Sequence, residues 1–260
     1  METSRLSVAA VCLSADLRTA LQRARDLGCR GVELDARGGL APEQVTATGL
    51  RQIRKWLGDA GVEVAAVAFR TRGGYADPER LEGRIAATKA ALQLAHGLGA
   101  PVVLNRIGDI PAESAGPEWR LLVDVLSDIG AWGQHVGATL CAEAGAAAPG
   151  DLVRLVAALP DGALACDLVT GSLVVHRHDP ADAVAALGPH IAFVHATDAV
   201  AGPFAGRGRA VVLGTGDVDF VAVLAALEER GYRGWVGLEP VEDRTAGTEL
   251  AAAVRYLGAV

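Results

Sequence analysis

The sequence predicts an α/β protein folded as a closed (β/α)8 TIM-type barrel, and three observations carry that prediction. Short apolar runs alternate eight times with helical patterns along the chain. The runs are continuously apolar rather than alternating, as parallel strands covered on both faces must be. "CLSADLR" follows the first run, where a doubly wound open sheet normally places a glycine-rich phosphate loop. The open sheet stays as the alternative. No linker, low-complexity tract or composition break divides the 260 residues, so 1–260 read as a single domain.

The first strand is expected in "RLSVAAVCLS", and Asp16 caps the helix "LRTALQRARDLGC", whose Leu and Ala recur at helical spacing. "GVELD" and the helix "GLRQIRKWLGDAG" form the second unit. "VEVAAVAF" leads into "DPERLEGRIAATKAALQLAHGLG", read as opening with Pro after an N-cap Asp and closing on Gly99. "PVVLN" pairs with "PEWRLLVDVLSDIGAWGQHVG", "ATLCAE" with "PGDLVRLVAAL", and "ALACD" with "DPADAVAALG". The seventh unit is "IAFVHA" with "DFVAVLAALEERGY". "GWVGLEP" and the helix through "TELAAAVRYLG" close the series.

Hydrophobic residues make up 51% but aromatics only 4%, so the core is expected to be built from Ala, Val and Leu. A net charge of −7 argues against a nucleic-acid partner, which calls for a basic face. It suits a protein that handles small molecules or metal ions. The four cysteines, Cys12, Cys29, Cys141 and Cys166, lack paired metal-site spacing and sit in apolar contexts, as free thiols of a reduced protein do. The N-terminal apolar run is too short for a signal peptide, and no segment has a membrane span's length. A cytoplasmic protein with no membrane partner is expected. A homo-oligomer is left open.

In such a barrel the active site lies at the C-terminal ends of the strands. Four consecutive strands each bring a ligand-type residue there: Glu143, Asp167, His195 and Glu239. Singly, each has an ordinary structural reading as a solvated tip, a helix cap or a hydrogen-bonded core histidine. Jointly, the three carboxylates would repel one another unless a cation neutralised them. Three carboxylates and an imidazole suit one divalent metal ion, Mn2+, Mg2+, Co2+ or Zn2+, with room for substrate oxygens.

The segments "GVELD", "LGAPVVLN", "GATLCAEAG", "ACDLVTG", "FVHATDA", "VVLGTGDVDF" and "GYRGWVGLEP", in that order, resemble the sugar phosphate isomerase/epimerase family of xylose isomerase-like barrels. The resemblance covers nearly the whole chain and is strongest from Gly137 onward. It implies a metal held by Glu143, Asp167, His195 and Glu239. The chain also departs from the pattern. Thr170 stands where the family often has a substrate-contacting histidine, and Pro149 where ketose 3-epimerases place a glutamate. Arg70, Asn105 and Thr170 occupy counterparts of the extra metal-binding histidines of the related endonuclease branch, which argues against a nuclease. A lyase or dehydratase on a keto-sugar, or an inactive metal- or sugar-binding barrel, remain as alternatives to an isomerase.

The chemistry implied is proton transfer beside a carbonyl of a sugar or polyol substrate through an enediolate. Glu143 and Glu239 are the candidate catalytic acid–base pair, with Asp167 and His195 holding the metal. Further candidates for substrate binding are Glu33, Asn105, Arg106 and Thr170 at the rim, with Arg207 and Arg209 in the glycine-rich loop "VAGPFAGRGRAVVLGTGDVD". Asp198 is read either as orienting a ligand or as capping a turn. The backbone of "GTG" offers a phosphate cradle that its acidic neighbours disfavour. His176 and His178 are expected to be exposed.

Overall fold

In the computed structural model, residues 5–242 and 246–260 are described. Eight parallel strands close into a barrel, β1 (Leu6–Ala9), β2 (Gly31–Asp35), β3 (Glu63–Ala68), β4 (Val102–Asn105), β5 (Thr139–Ala144), β6 (Ala165–Val169), β7 (Ile191–Ala196) and β10 (Trp235–Leu238). Closure is made by β1, which pairs Val8 with Leu238 on one side and with Val32 on the other. The intervening pair, β8 (Asp198–Ala201) and β9 (Gly208–Val211), is an antiparallel hairpin within the loop after β7. That segment was expected to be irregular. Its strands are as long as β4 and β10, but Gly208–Val211 is largely exposed and so carries no apolar run.

The helices form the outer layer: α1 (Leu17–Asp26), α2 (Ala47–Ala60), α3 (Leu81–Leu98), α4 (Pro117–Val136), α5 (Pro149–Ala157), α6 (Thr170–Val175), α7 (Pro180–Leu187), α8 (Phe220–Glu229) and α9 (Ala246–Ala259). Their caps follow local chemistry. Asp16 accepts from the Thr19 amide at 2.8 Å, and Asp179 and Asp219 act likewise before α7 and α8. Gly61, Gly99 and Gly137 end α2, α3 and α4 with positive φ. The start of α3 differs from expectation. Asp77 accepts from the Glu79 amide in a tight turn, and the helix begins only after Arg80, which adopts φ 52°. The short helix α6, starting one residue after the strand, was also unforeseen: Thr170 forsakes the β ladder to bond Thr197.

Two apolar clusters hold the layers together. The larger joins the outward faces of the strands to the helices through Leu34, Leu92, Leu122, Leu126, Leu152 and Val184. The smaller consists of strand residues, among them Ala66, Leu104, Cys141, Ala165, Phe193 and Trp235. It fills the barrel interior. Period-two alternation then places Glu143 on the face of Cys141, Asp167 on that of Ala165 and His195 on that of Phe193. Each functional side chain is thus the inward residue next above an apolar layer. Small residues make room for the two large rings: a Cβ on Gly237 would fall 2.7 Å from Phe193, and one on Gly31 would fall 2.7 Å from Trp235.

Candidate active site

The inward residues at the C-terminal mouth come from six barrel strands or the residues just beyond them. Glu33 lies on β2, Arg70 two residues past β3, Glu143 on β5, Asp167 on β6, His195 on β7 and Glu239 just after β10. Register sets their heights. Glu143 pairs with Asp167 across β5–β6, and Gly237 with His195 across β10–β7.

Two cations organise these carboxylates. His195 is buried, with Nδ1 2.6 Å from Asp167 Oδ2 and Nε2 2.9 Å from Glu33 Oε2. A ring with a carboxylate at each nitrogen is best satisfied as an imidazolium donating at both ends. Burial by itself would lower its pKa, but the charge and hydrogen bond of Asp167, joined by Glu33, outweigh burial and raise it well above the usual value. Arg70 is the second cation. Its Nε donates to Glu143, Nη1 lies 3.2 Å from Glu33 Oε1 and Nη2 3.4 Å from Glu239 Oε1. Burial opposes the charged guanidinium, and the three carboxylates more than restore it.

The carboxyls respond differently to the same surroundings. Burial pushes Asp167 up, and His195 only partly offsets this. Glu239 is also raised by burial, against the pull of His195 and with the repulsion of Glu33. Glu33 is buried too, yet His195 and Arg70 hold it below the usual carboxylate range. Four acidic groups face Arg70 and His195, with Arg106 at the edge, 3.0 Å from Glu143 Oε2. The cluster is short of positive charge.

That deficit and the donor chemistry fit a divalent cation. Glu33, His195 and Glu239 each offer one ligand atom, and these lie within 4.8 Å of one another. Asp167 Oδ1 is buried and has no hydrogen-bond partner among the described residues, which a metal ion would remedy. Of the four ligands expected from sequence, His195 and Glu239 belong to this converging trio. Asp167 adjoins it through His195, and Glu143 lies outside the trio, bonded to Arg70 and Arg106. Glu33, expected only as a substrate contact, is 5% exposed and central.

Arg70 is the site residue that the sequence reading missed. It was noted only for replacing a histidine, although its place just beyond the third strand was visible in "AAVAFRTRGG". The loops that carry Arg70 and Arg106 are stitched together. Asn105 is fully buried and donates to the Phe69 carbonyl, and Thr71 Oγ1 donates to the Arg106 carbonyl at 2.8 Å. A Cβ on Gly74 would meet Gly108 Cα at 2.7 Å, so glycine is required where these loops touch.

Several expected substrate contacts are engaged by the protein itself. Asn105 positions the Arg70 loop. Thr170 donates to backbone carbonyls of His195 and Thr197 and is fully buried. Arg106 is 67% exposed and free to meet a ligand while paired to Glu143. Arg207 and Arg209 lie exposed on the β8–β9 hairpin. Asp198 resolves toward the turn-capping reading: its carboxylate accepts from the amides of Ala199, Val218, Gly214 and Gly216. The "GTG" amides that would cradle a phosphate are therefore taken. His176 and His178 are half-buried rather than exposed, because α6 draws them inward.

A cavity of about 670 Å3 opens beside Glu143, lined among others by Arg106, Asp151, Ser172 and His178. Its size suits a small polar ligand. A second cavity, about 600 Å3, lies by α1 and α2 around Ile53 and Trp56 and contains none of the converging residues. No helix among the described residues is long and apolar enough to cross a membrane.

The fold is shared with known proteins. The profile of the xylose isomerase-like TIM barrel family matches residues 21–259. No curated protein matches. Among solved structures, the chain is similar to a xylose isomerase domain protein from Planctomyces limnophilus, at 24% identity and TM-score 0.86, covering 98% of this chain and 95% of that one. It is similar to D-psicose 3-epimerase with D-tagatose from Clostridium cellulolyticum H10, at 15% identity and TM-score 0.80, covering 98% and 99%. A xylose isomerase-like TIM barrel protein from Mycobacterium smegmatis in complex with magnesium shares 18% identity at TM-score 0.76, covering 98% and 95%. With its closed barrel and a profile match over nearly its full length, the chain belongs to the xylose isomerase-like TIM barrel family.

Proposed function

We propose that the protein is an isomerase or epimerase of a sugar or sugar-like polyol, moving a proton beside a carbonyl with the help of one divalent metal ion. The observation that carries this reading is the convergence of Glu33, His195 and Glu239 beside the orphaned Asp167 oxygen at the barrel mouth. The similarity to a D-psicose 3-epimerase is consistent with it.

Glu33, His195, Glu239 and Asp167 would hold the metal, with Glu143 at its edge. When bound, a divalent cation supplies Lewis-acid stabilisation of charge developing on a substrate oxygen. The chain's own residues do the rest. Glu143 and Glu239 both reach the Arg70 guanidinium, one at Nε and the other at Nη2, so two proton carriers from β5 and beyond β10 meet at one group. One can take a proton from carbon while the other returns one. Burial raises the Glu239 carboxyl, which brings a carboxylic acid closer to the working range of a proton carrier. Arg106, exposed at the mouth of the cavity beside Glu143, meets the distal hydroxyl or anionic end of the substrate.

The test is proton exchange from deuterated water into a panel of ketoses, with and without added Mn2+. Wild type should exchange deuterium at one carbon and Glu239→Gln should not, while still binding the sugar. Exchange at an unchanged rate in Glu239→Gln removes the assignment. A product that has lost water instead would redirect the reading to a lyase using the same proton abstraction.

A further inference from the structure

Arg70 contacts three carboxylates from three strands: Glu33 on β2, Glu143 on β5 and Glu239 beyond β10. Two of these, Glu33 and Glu239, also belong to the trio whose ligand atoms lie within 4.8 Å of one another. Glu33 is fully committed, with Oε1 on Arg70 and Oε2 on His195. Glu239 Oε1 stands 3.4 Å from Arg70 and 3.7 Å from His195. A cation drawing on these oxygens meets a guanidinium already holding them, and two like charges at such range repel strongly in a half-buried site. Arg70 is also able to leave. Its side chain is 30% exposed, so the guanidinium can swing toward solvent while the loop beneath it stays tied through Thr71.

We propose that Arg70 is the resident counter-ion of this site, and that its guanidinium and a divalent cation are alternative occupants of the same carboxylates. Arg70 keeps the acidic mouth assembled until the cation takes Glu33 and Glu239 and releases it. This deepens, and rests on, the metal-dependent reading above. It makes the chain's metal affinity a property set by one side chain outside the ligand set.

The experiment is calorimetric titration of chelator-stripped protein with MnCl2, for wild type and Arg70→Met. The variant should bind Mn2+ at least tenfold more tightly, and Mn2+ should raise its melting temperature more than that of wild type. Equal affinities, with metal bound by both, overturn the competition and leave the metal reading standing. Binding by neither overturns both. Should Arg70→Met fail to fold, wild type carries the test by NMR, with the Arg70 Nε–H resonance assigned through its absence in Arg70→Lys. That resonance should be protected from exchange in stripped protein and lost as Mg2+ saturates the site. Persistence of the same resonance at saturating Mg2+ overturns the proposal.

Discussion

His195 and Asp167 form a buried pair, Nδ1 to Oδ2 at 2.6 Å, in which an imidazole from β7 is held against a carboxylate from β6. Neither residue reaches solvent appreciably, at 2% and 0% exposure, so the pair depends on its own charge balance and on Glu33 at the far nitrogen.

The pair should make metal-free protein sensitive to alkali. His195 has a folded pKa well above its unfolded value near 6.5. Its stabilising contribution is therefore fully present below the unfolded value and is lost as pH rises through the folded one. Asp167, raised by burial, works in the same direction. Glu33, depressed by His195 and Arg70, contributes above its usual value and loses that contribution only as pH falls through the lowered one. Urea unfolding of chelated protein should show stability falling from neutral to alkaline pH. Asp167→Ala should cost about 3–5 kcal/mol at neutral pH, because it removes one of the two carboxylates that balance a buried imidazolium. A flat alkaline limb would show that His195 is neutral in the native state.

Asp198 should matter to folding and not to metal. Its two oxygens accept four backbone amides at 2.8–3.2 Å, tying the turn before α8 to the end of β7. Asp198→Ala should destabilise the protein by at least ~2 kcal/mol, since buried amides lose a charged acceptor. Mn2+ affinity measured on the folded fraction should stay within twofold. A large loss of affinity without loss of stability would assign Asp198 to ligand orientation instead.

Gly237 sets the floor of the site. A methyl group there would press on the Phe193 ring at 2.7 Å and touch His195 Cδ2 at 3.4 Å. Gly237→Ala should cost about 1–3 kcal/mol by overpacking and weaken metal binding through the displaced imidazole. Thermal melts with and without Mn2+ separate the two effects. An undisturbed variant would mean the barrel interior is looser than the ring contacts indicate.

The thiols offer a check on packing. Burial pushes Cys29 up to about 11 and Cys166 to about 12, and Cys141 is buried as well. Cys12 is partly exposed. At pH 8 an aromatic disulfide reagent should modify one thiol readily and the other three only on unfolding. Prompt release of more than one equivalent would show that the barrel opens on that timescale.

The order of strands and helices was legible in the sequence because each apolar run and each cap is a local feature. Asp16, Asp179 and Asp219 announce helices through bonds spanning two or three residues. The rim positions of Glu143, Asp167, His195 and Glu239 followed from the same logic, since a strand's end names the residue that meets the mouth. α6 was less legible because its bonds run to partners that only the fold brings near, as Thr170 to Thr197 does, whereas at α3 a local turn at Asp77 delays the helix and at β9 an exposed strand carries no apolar run.

By itself, then, the sequence determined a barrel and the acidic character of its mouth, because periodicity and residue type act over one or two turns of chain. Only the tertiary structure decided who pairs with whom. It moved Glu33 from the periphery to the centre and set Arg70, 73 residues before Glu143 in the chain, among three carboxylates. The physical reason is closure. Joining β1 to β10 brings the ends of the chain together, and charges remote in sequence must then find their balance across one small mouth.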